Sequence, residues 1–401
     1  MFILNRIWCR TYQAVFRAAL PLLPYREPKI LSSCGELSEV FAECKPRAVL
    51  IVTTEGNERR GMLAPIEEAL VRGGIRYAIY NKTRPDPTVE NVEEALGVYL
   101  ENGCDTLIAI GGGSVLDCAK GIGARVAYPK KSLNRLAGVM HVLRKIPTLI
   151  AIPTTAGTGS EVTLAAVITD DKTHHKYAIM SFPLIPRYAV LDPTLTYTLP
   201  PHLTATTGMD ALTHAVEAYI GRSTTKKTRR LALEATALIF GNIEAAYADG
   251  KNAAAREAML RASYKAGVAF SMSYVGYVHA IAHSIGGRYG VPHGLANAVI
   301  LPHVLEAYGK SAHKKLHRLA VAAGVAEVGD PTEVGARRFI DALQHLNAAM
   351  EIPDTINEIQ AADIPALARH AAKEGNPLYP VPRLMTAEEL EAIYRTLGGA
   401  L

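Results

Sequence analysis

Cysteine is scarce and poorly placed to build anything. Five residues, Cys9, Cys34, Cys44, Cys104 and Cys118, are scattered over 401 positions with no CxxC spacing. No disulfide framework is implied, and the odd number fits reduced thiols in a cytoplasmic protein. Charge of one sign is lacking too. The 43 basic and 38 acidic residues leave a formal charge of +5, and no Lys/Arg block resembles a nucleic-acid tail. The densest basic run, KKTRR at 226–230, reads as a solvated helix face, so no nucleic-acid partner is expected. A long uncharged run is missing as well. The apolar opening MFILNRIWCRTYQAVFRAALPLLPY is interrupted by Arg6, Arg10 and Arg17, which excludes a membrane span. Residues 1–27 read instead as a helical extension whose amphipathic helix packs on the body, joins a subunit interface or rests on a membrane surface. That peripheral contact is the one membrane role left open. Internal repeats and low-complexity stretches are absent from the sequence.

Apolar material is plentiful. Hydrophobic residues make up 49% and charged residues 20% of the chain, and mean hydropathy is +0.10. That composition supports a large buried interior, and the length exceeds the usual size of one core, so about two domains are expected. From residue 28, the runs AVLIVTT (48–54), RYAIYN (76–81), TLIAIGG (106–112) and TLIAIPTT (148–155) are short, nearly continuous and apolar. Strands covered on both faces read this way, and 88–102 and 114–127 supply helical segments between them. The segment 165–180 reads as a hairpin with His174 and His175 in its turn, and YAVLDP (188–193) as another short strand. The expectation is an α/β domain with a mainly parallel sheet over 28–199. After Pro200 and Pro201, the Ala- and Leu-rich segments 208–220, 228–248, 252–269 and 276–286 take over, so 200–401 is expected to be all-helical.

Two glycine-rich loops follow strands. In AIGGGSVLDCAKGIG, Gly111, Gly112 and Gly113 allow close backbone approach, and Ser114 can start a helix whose N-terminus favours phosphate. Neither GxGxxG nor Walker A is present here, and GGGS alone fits a tight turn as well as a phosphate site. The second loop, PTTAGTGSEV (153–162), concentrates Thr154, Thr155, Thr158 and Ser160 among glycines. Two such loops argue for a large phosphorylated ligand, which a dinucleotide fits. Lys120 either adds charge to that site or is solvated or salt-bridged.

The most specific signal lies in the second half. Asp210 and His214 in GMDALTHAVE, and His279 and His283 in VHAIAHSIGG, are each four residues apart in helix-compatible stretches, so each pair faces one point. His293 follows in VPHG. One carboxylate and three imidazoles from Asp210, His214, His279 and His293 suit Fe(II) or Zn(II), whereas Mg(II) and Ca(II) prefer oxygen shells. Four protein ligands also fit a closed structural site. His283, one turn beyond His279 and close in sequence to Gly286, Gly287 and Gly290, argues for catalysis, as a non-coordinating histidine that moves protons.

The four segments GGGSVLDCAK, PTTAGTGSEV, GMDALTHAVEAY and HAIAHSIGGRYGVPHG, in this order and at these separations, resemble the iron-containing (iron-activated) alcohol dehydrogenases over nearly the whole chain after about residue 25. The resemblance implies an N-terminal Rossmann-like dinucleotide-binding domain, a C-terminal helical domain and an active site in the cleft between them. It implies that Asp210, His214, His279 and His293 bind Fe(II) or Zn(II), and that His283 lies near nicotinamide and substrate. Gly111 to Ser114 would hold the pyrophosphate, and Thr154, Thr155, Thr158 and Ser160 would border the nucleotide or metal. Many members carry an aspartate after the first strand that selects against a 2′-phosphate; here Thr54 stands in its place, so NADP becomes admissible beside NAD.

The implied reaction is hydride transfer between a nicotinamide cofactor and a primary aliphatic alcohol or aldehyde, in a homodimer. Phe182, Tyr274, Tyr277, Val278 and Leu301 are candidate apolar lining residues. Competing readings are a glycerol- or polyol-type dehydrogenase, whose members commonly lack the histidine at 214, and a dehydroquinate-synthase-like lyase, which needs more Lys and Arg near the metal than Arg288 supplies. A non-catalytic metal-stabilised interaction protein is the reading from a different class.

Overall fold

The computed structural model describes residues 3–171 and 176–399. The chain forms two compact units. One runs from Pro24 to Thr198; the other joins the segment ending at Leu23 to the chain from Leu199 onward. The opening helix, α1 (Ile3–Ala19), therefore belongs to the helical unit rather than standing apart.

The first unit contains strands β1 (Lys29–Leu31), β2 (Ala48–Val52), β3 (Arg76–Tyr80), β4 (Thr106–Gly111), β5 (Gly138–Val139), β6 (Thr148–Pro153), β7 (Ala165–Thr169), β8 (Lys176–Met180) and β9 (Tyr188–Val190). Its helices are α2 (Leu37–Cys44), α3 (Glu55–Arg59), α4 (Ala64–Arg72), α5 (Val89–Glu101) and α6 (Gly113–Ala127). Six strands form a sheet in the order β1-β9-β6-β4-β2-β3 with every pairing parallel. Alternate residues of the central strands feed two cores, as the pleat requires. Leu50, Val52, Leu107 and Ala109 pack with Val92, Ala95, Val115 and Ala119 of α5 and α6. Val49, Ile51, Ile108, Ile110 and Ile150 pack with Val40, Phe41, Ile66 and Leu70 of α2 and α4.

The expected hairpin is present as the antiparallel pair β7 and β8, extended by β5 alongside β8. Its turn, with His174 and His175, lies outside the described residues. The strands β1 and β5 were not anticipated, because three- and two-residue segments carry no periodicity to detect.

The second unit is helical after α1: α7 (Pro201–Ile220), α8 (Lys226–Ala248), α9 (Ala253–Ser273), α10 (Tyr277–Tyr289), α11 (His293–Tyr308), α12 (His313–Ala322), α13 (Thr332–Ala349), α14 (Ile364–Gly375) and α15 (Ala387–Leu397). Thr225, Asn252 and Thr386 cap α8, α9 and α15 through their side chains. Proline at the first position starts α7. From Gly208 to Ile220 every side of α7 is buried, which makes it the central helix of this unit.

One narrow face of α1 packs on this unit. Cys9, Gln13 and Leu20 are buried. Arg10 donates to Val381 O (2.8 Å) and Pro382 O (3.0 Å), and Gln13 donates to Tyr379 O (2.7 Å). No helix among the described residues is long and apolar enough to cross a membrane.

Candidate active site

Helix periodicity brings Asp210 and His214 to one side of α7 and His279 and His283 to one side of α10, and α11 begins on His293 itself. Gly294 lets the start of α11 approach α7, since a Cβ there would lie 2.6 Å from Thr206 O. The result is a set of one carboxylate and three imidazoles, Asp210, His214, His279 and His293, whose donor atoms all lie within 4.8 Å of one another. Donors on one ion at 2.0–2.1 Å would stand up to roughly 4 Å apart, so modest inward movement completes a first-row divalent site. Asn297, one turn after His293, already exploits this convergence. Its Nδ2 donates to Asp210 Oδ1 (2.7 Å) and approaches His293 Nε2 (3.0 Å) and His279 Nε2 (3.3 Å). Acceptors that converge on one donor are the acceptors a cation needs, and the set fits Fe(II) or Zn(II).

The set is not closed. The side chains of Asp210 and His279 are only 3% and 4% exposed, but His293 is 41% exposed and leaves one side accessible. The His283 ring stacks on that of His293 with centroids 5.3 Å apart, on the open side. A structural site would bury all four ligands.

Two carboxylates outside the expected ligand set hold the histidines. Glu217, three residues after His214 on α7, meets His279 Nδ1 at 2.6 Å and accepts from Gly276 N (2.8 Å) and Val278 N (2.9 Å). Burial pushes its carboxyl up to about 7 against the pull of these backbone donors. Burial, then the neighbouring His214, His293 and His283 rings, hold His279 well below the ordinary histidine value, so the imidazole is kept neutral and ready to donate a lone pair. Glu374 on α14 meets His283 Nδ1 at 2.6 Å and accepts from the Tyr379 hydroxyl at 2.7 Å. Burial alone would raise Glu374, but the facing His283, its hydrogen bond and Tyr379 bring the carboxyl below its usual range.

Of the candidate lining residues, Tyr277, Val278 and Leu301 are fully buried core side chains. Tyr277 is fixed by Asn376 Oδ1 (2.8 Å) and Met385 N (2.9 Å). Phe182 and Tyr274 are partly exposed, and the Tyr274 ring packs edge-on against Phe16 of α1 at 4.9 Å.

In the sheet unit, Gly112 caps α6, and Gly113 lies so close to the second loop that a Cβ would meet Thr158 Cγ2 at 2.7 Å. Thr155 lies beside Gly112, and Thr154 N donates to Gly111 O (3.0 Å). The GGGS turn and the PTTAGTGSEV loop thus form one surface at the N-terminus of α6. Ser114 Oγ accepts from Asp86 N at 3.3 Å. Ser160 is buried, donating to Asp117 Oδ1 (2.7 Å) and receiving Lys120 Nζ (2.9 Å), so its hydroxyl is engaged within the protein.

Lys120 is neither solvated nor turned toward a ligand. It is fully buried and donates to Ser160 O (2.7 Å), Thr163 Oγ1 (2.8 Å) and Ala165 O (2.7 Å), bolting the second loop to α6. Thr54 caps α3, its side chain accepting from Asn57 N at 3.3 Å.

Comparison with known proteins agrees with this geometry. Residues 28–193 match the family described as iron-containing alcohol dehydrogenase, and residues 204–398 match the Fe-containing alcohol dehydrogenase family, C-terminal. The 1,3-propanediol dehydrogenase of Klebsiella pneumoniae is 37% identical over 385 residues, 95% of this chain and 98% of that protein. The NAD-dependent methanol dehydrogenase of Bacillus methanolicus is 36% identical, covering 90% of this chain and 96% of the relative. Among solved structures, a 1,3-propanediol oxidoreductase superposes with a TM-score of 0.89 at 36% identity, over 93% of this chain and 99% of the other.

Proposed function

Since the chain belongs to the iron-containing alcohol dehydrogenase family, we propose that Asp210, His214, His279 and His293 hold its metal and that small primary alcohols and aldehydes are its substrates. It is an NAD(P)-dependent, metal-dependent alcohol dehydrogenase. The observation that carries the site assignment is the four-donor set with one open side beside His283. The relatives that act on 1,3-propanediol and methanol support the substrate class.

A divalent ion held by Asp210, His214, His279 and His293 would supply a Lewis acid for the substrate oxygen, and a bound nicotinamide would supply the hydride chemistry. The protein's own part is to position and to move a proton. His283, held through Nδ1 by Glu374, presents Nε2 as the proton-carrying atom. Glu217 fixes the His279 ring so that Nε2 joins the donor set. Gly111, Gly112, Gly113 and Ser114 receive the dinucleotide phosphates at the N-terminus of α6, with Thr154, Thr155 and Thr158 bordering them. Ser160 serves from behind, through Lys120 and Asp117. Thr54 stands where many members carry the excluding aspartate, and Arg59 or Arg60 favours a 2′-phosphate while Glu55 opposes it, so NADP is proposed beside NAD. A cytoplasmic homodimer completes the reading, and five unpaired cysteines support the compartment.

The test is an alcohol and aldehyde panel run with NAD(H) and NADP(H) on enzyme reconstituted with Fe(II) or Zn(II). Metal analysis of two variants accompanies it. His283→Ala keeps its metal and loses turnover, whereas His279→Ala loses both. Equal metal loss in the two variants, or no oxidation of NAD(P)H across the panel, overturns the assignment.

A further inference from the structure

The outward side of α1 is unpartnered. Leu4 (78% exposed), Ile7 (57%), Trp8 (60%), Tyr12 (37%) and Val15 (65%) recur at helical spacing and form one apolar stripe facing away from the packed residues Cys9, Gln13 and Leu20. Arg6, Arg10 and Arg17 fall together on one flank, within about 40° of arc at 3.6 residues per turn. The helix contains no acidic residue.

The basic flank continues into the body. A cavity of about 460 Å³ beside α1 is lined by Arg10, Gln13, Ala14, Arg17, Ala18 and Arg222. Behind it, Lys315 donates to Ile220 O (3.0 Å) at the C-terminus of α7. Burial, followed by repulsion from Arg229, Arg222, Arg17 and Arg318, pushes the Lys315 ammonium down to about 8. Among the described residues, no carboxylate forms an ion pair with Arg10, Arg17, Arg222, Arg229, Lys315 or Arg318. Arg229 opens toward this cluster from the KKTRR run, in which the neighbouring Arg230 pairs with Glu234 (3.6 Å). The six like charges Arg10, Arg17, Arg222, Arg229, Lys315 and Arg318, with no carboxylate against them among the described residues, call for an external anion.

We propose that α1 and this arginine cluster form a docking surface for an anionic lipid bilayer. The helix lies in the interfacial plane, with the Leu4–Ile7–Trp8–Val15 stripe among the acyl chains and Arg6, Arg17 and Arg222 against headgroup phosphates. Charge selects the occupant. A second copy seated on the stripe through its own α1 offers the arginines no carboxylate, since the helix has none, while an anionic bilayer supplies both an apolar layer for the stripe and phosphates for the cluster. The bonds of Arg10 and Gln13 to the 377–382 segment hold α1 on the body, so the surface is presented ready-made.

Trp8 is the single tryptophan of the chain, so its fluorescence reports directly on the stripe. The intact enzyme is mixed with vesicles of phosphatidylcholine alone or phosphatidylcholine doped with phosphatidylglycerol, and followed by sedimentation and Trp8 emission. Expected are binding to the doped vesicles only, emission shifted to shorter wavelength, and release at high salt. The double variant R17Q/R222Q should partition about thirtyfold more weakly, at about 1 kcal/mol per arginine near a charged surface. A second variant, I7E/V15E, alters only exposed positions and should abolish binding while leaving metal content and turnover unchanged. Absence of binding, equal binding to neutral vesicles, or a concentration-dependent dimer with blue-shifted Trp8 in the absence of lipid each overturns the proposal, the last by assigning the stripe to a second copy.

Discussion

Replacing Glu217 with glutamine isolates the contribution of a residue that lies outside the four-donor set. The carboxylate faces three buried hydrogen-bond donors, Gly276 N at 2.8 Å, Val278 N at 2.9 Å and His279 Nδ1 at 2.6 Å, through two oxygens. Glutamine fits the same space but offers one oxygen. If that oxygen serves Gly276 and His279, the new amide NH2 faces Val278 N–H; if it serves Val278, two donors are stranded. An unsatisfied buried donor costs about 1–3 kcal/mol. Loss of the outer partner of a metal-binding histidine costs about 10–100-fold in metal affinity, or about 1.4–2.8 kcal/mol. Glu217→Gln should therefore bind Zn(II) at least about tenfold more weakly in a chelator competition and unfold at lower denaturant, with its helical circular dichroism intact. An affinity within about twofold of the parent would refute the claim that Glu217 aims His279 at the donor set.

Three further outcomes follow from the same geometry. Lys120→Met keeps the volume but leaves Asp117 and Glu161 buried without their cation, so a stability loss of about 3–5 kcal/mol is expected by chemical denaturation; a loss below about 1 kcal/mol would remove Lys120 as the bolt between the loops. Glu374→Gln releases His283 from its carboxylate and should lower kcat by about tenfold or more with metal content unchanged, and unaltered kcat would show that the contact does not orient the proton carrier. Lys315 is depressed to about 8 from 10.5, so between those pH values the unfolded chain binds the proton that the folded chain has released. Its contribution to stability must rise with pH over that window, by on the order of 1–3 kcal/mol, and the difference between parent and Lys315→Met should show this slope; a flat difference would contradict it.

What the sequence discloses and what it hides divide along one physical line. The convergence of Asp210, His214, His279 and His293 was legible because each sits at a fixed offset on a helix, and a period of 3.6 residues converts spacing into direction without knowledge of the rest of the fold. The parallel sheet was legible for the same reason, since strands buried on both faces lose their alternation and read as apolar runs. Glu217 and Asn297 carried a weaker signal of this kind, lying three residues after His214 and four after His293, but a carboxylate or an amide at such a spacing is ordinary until its partners are known. Those partners come from far along the chain: Glu217 meets Gly276 at 59 residues' remove, and His283 meets Glu374 at 91.

Lys120 shows the limit most sharply. As a lysine seven residues after Gly113, it invites assignment to a phosphate, yet it is consumed by Ser160, Thr163 and Ala165, a choice fixed by how the second loop lies against α6. The positions that do chemistry are thus set by helix periodicity, while those that hold them in place are set by tertiary contact. A search for function in sequence therefore finds the candidate metal-binding residues first and the carboxylates that orient them last, although removal of either group should cost the proposed site its metal.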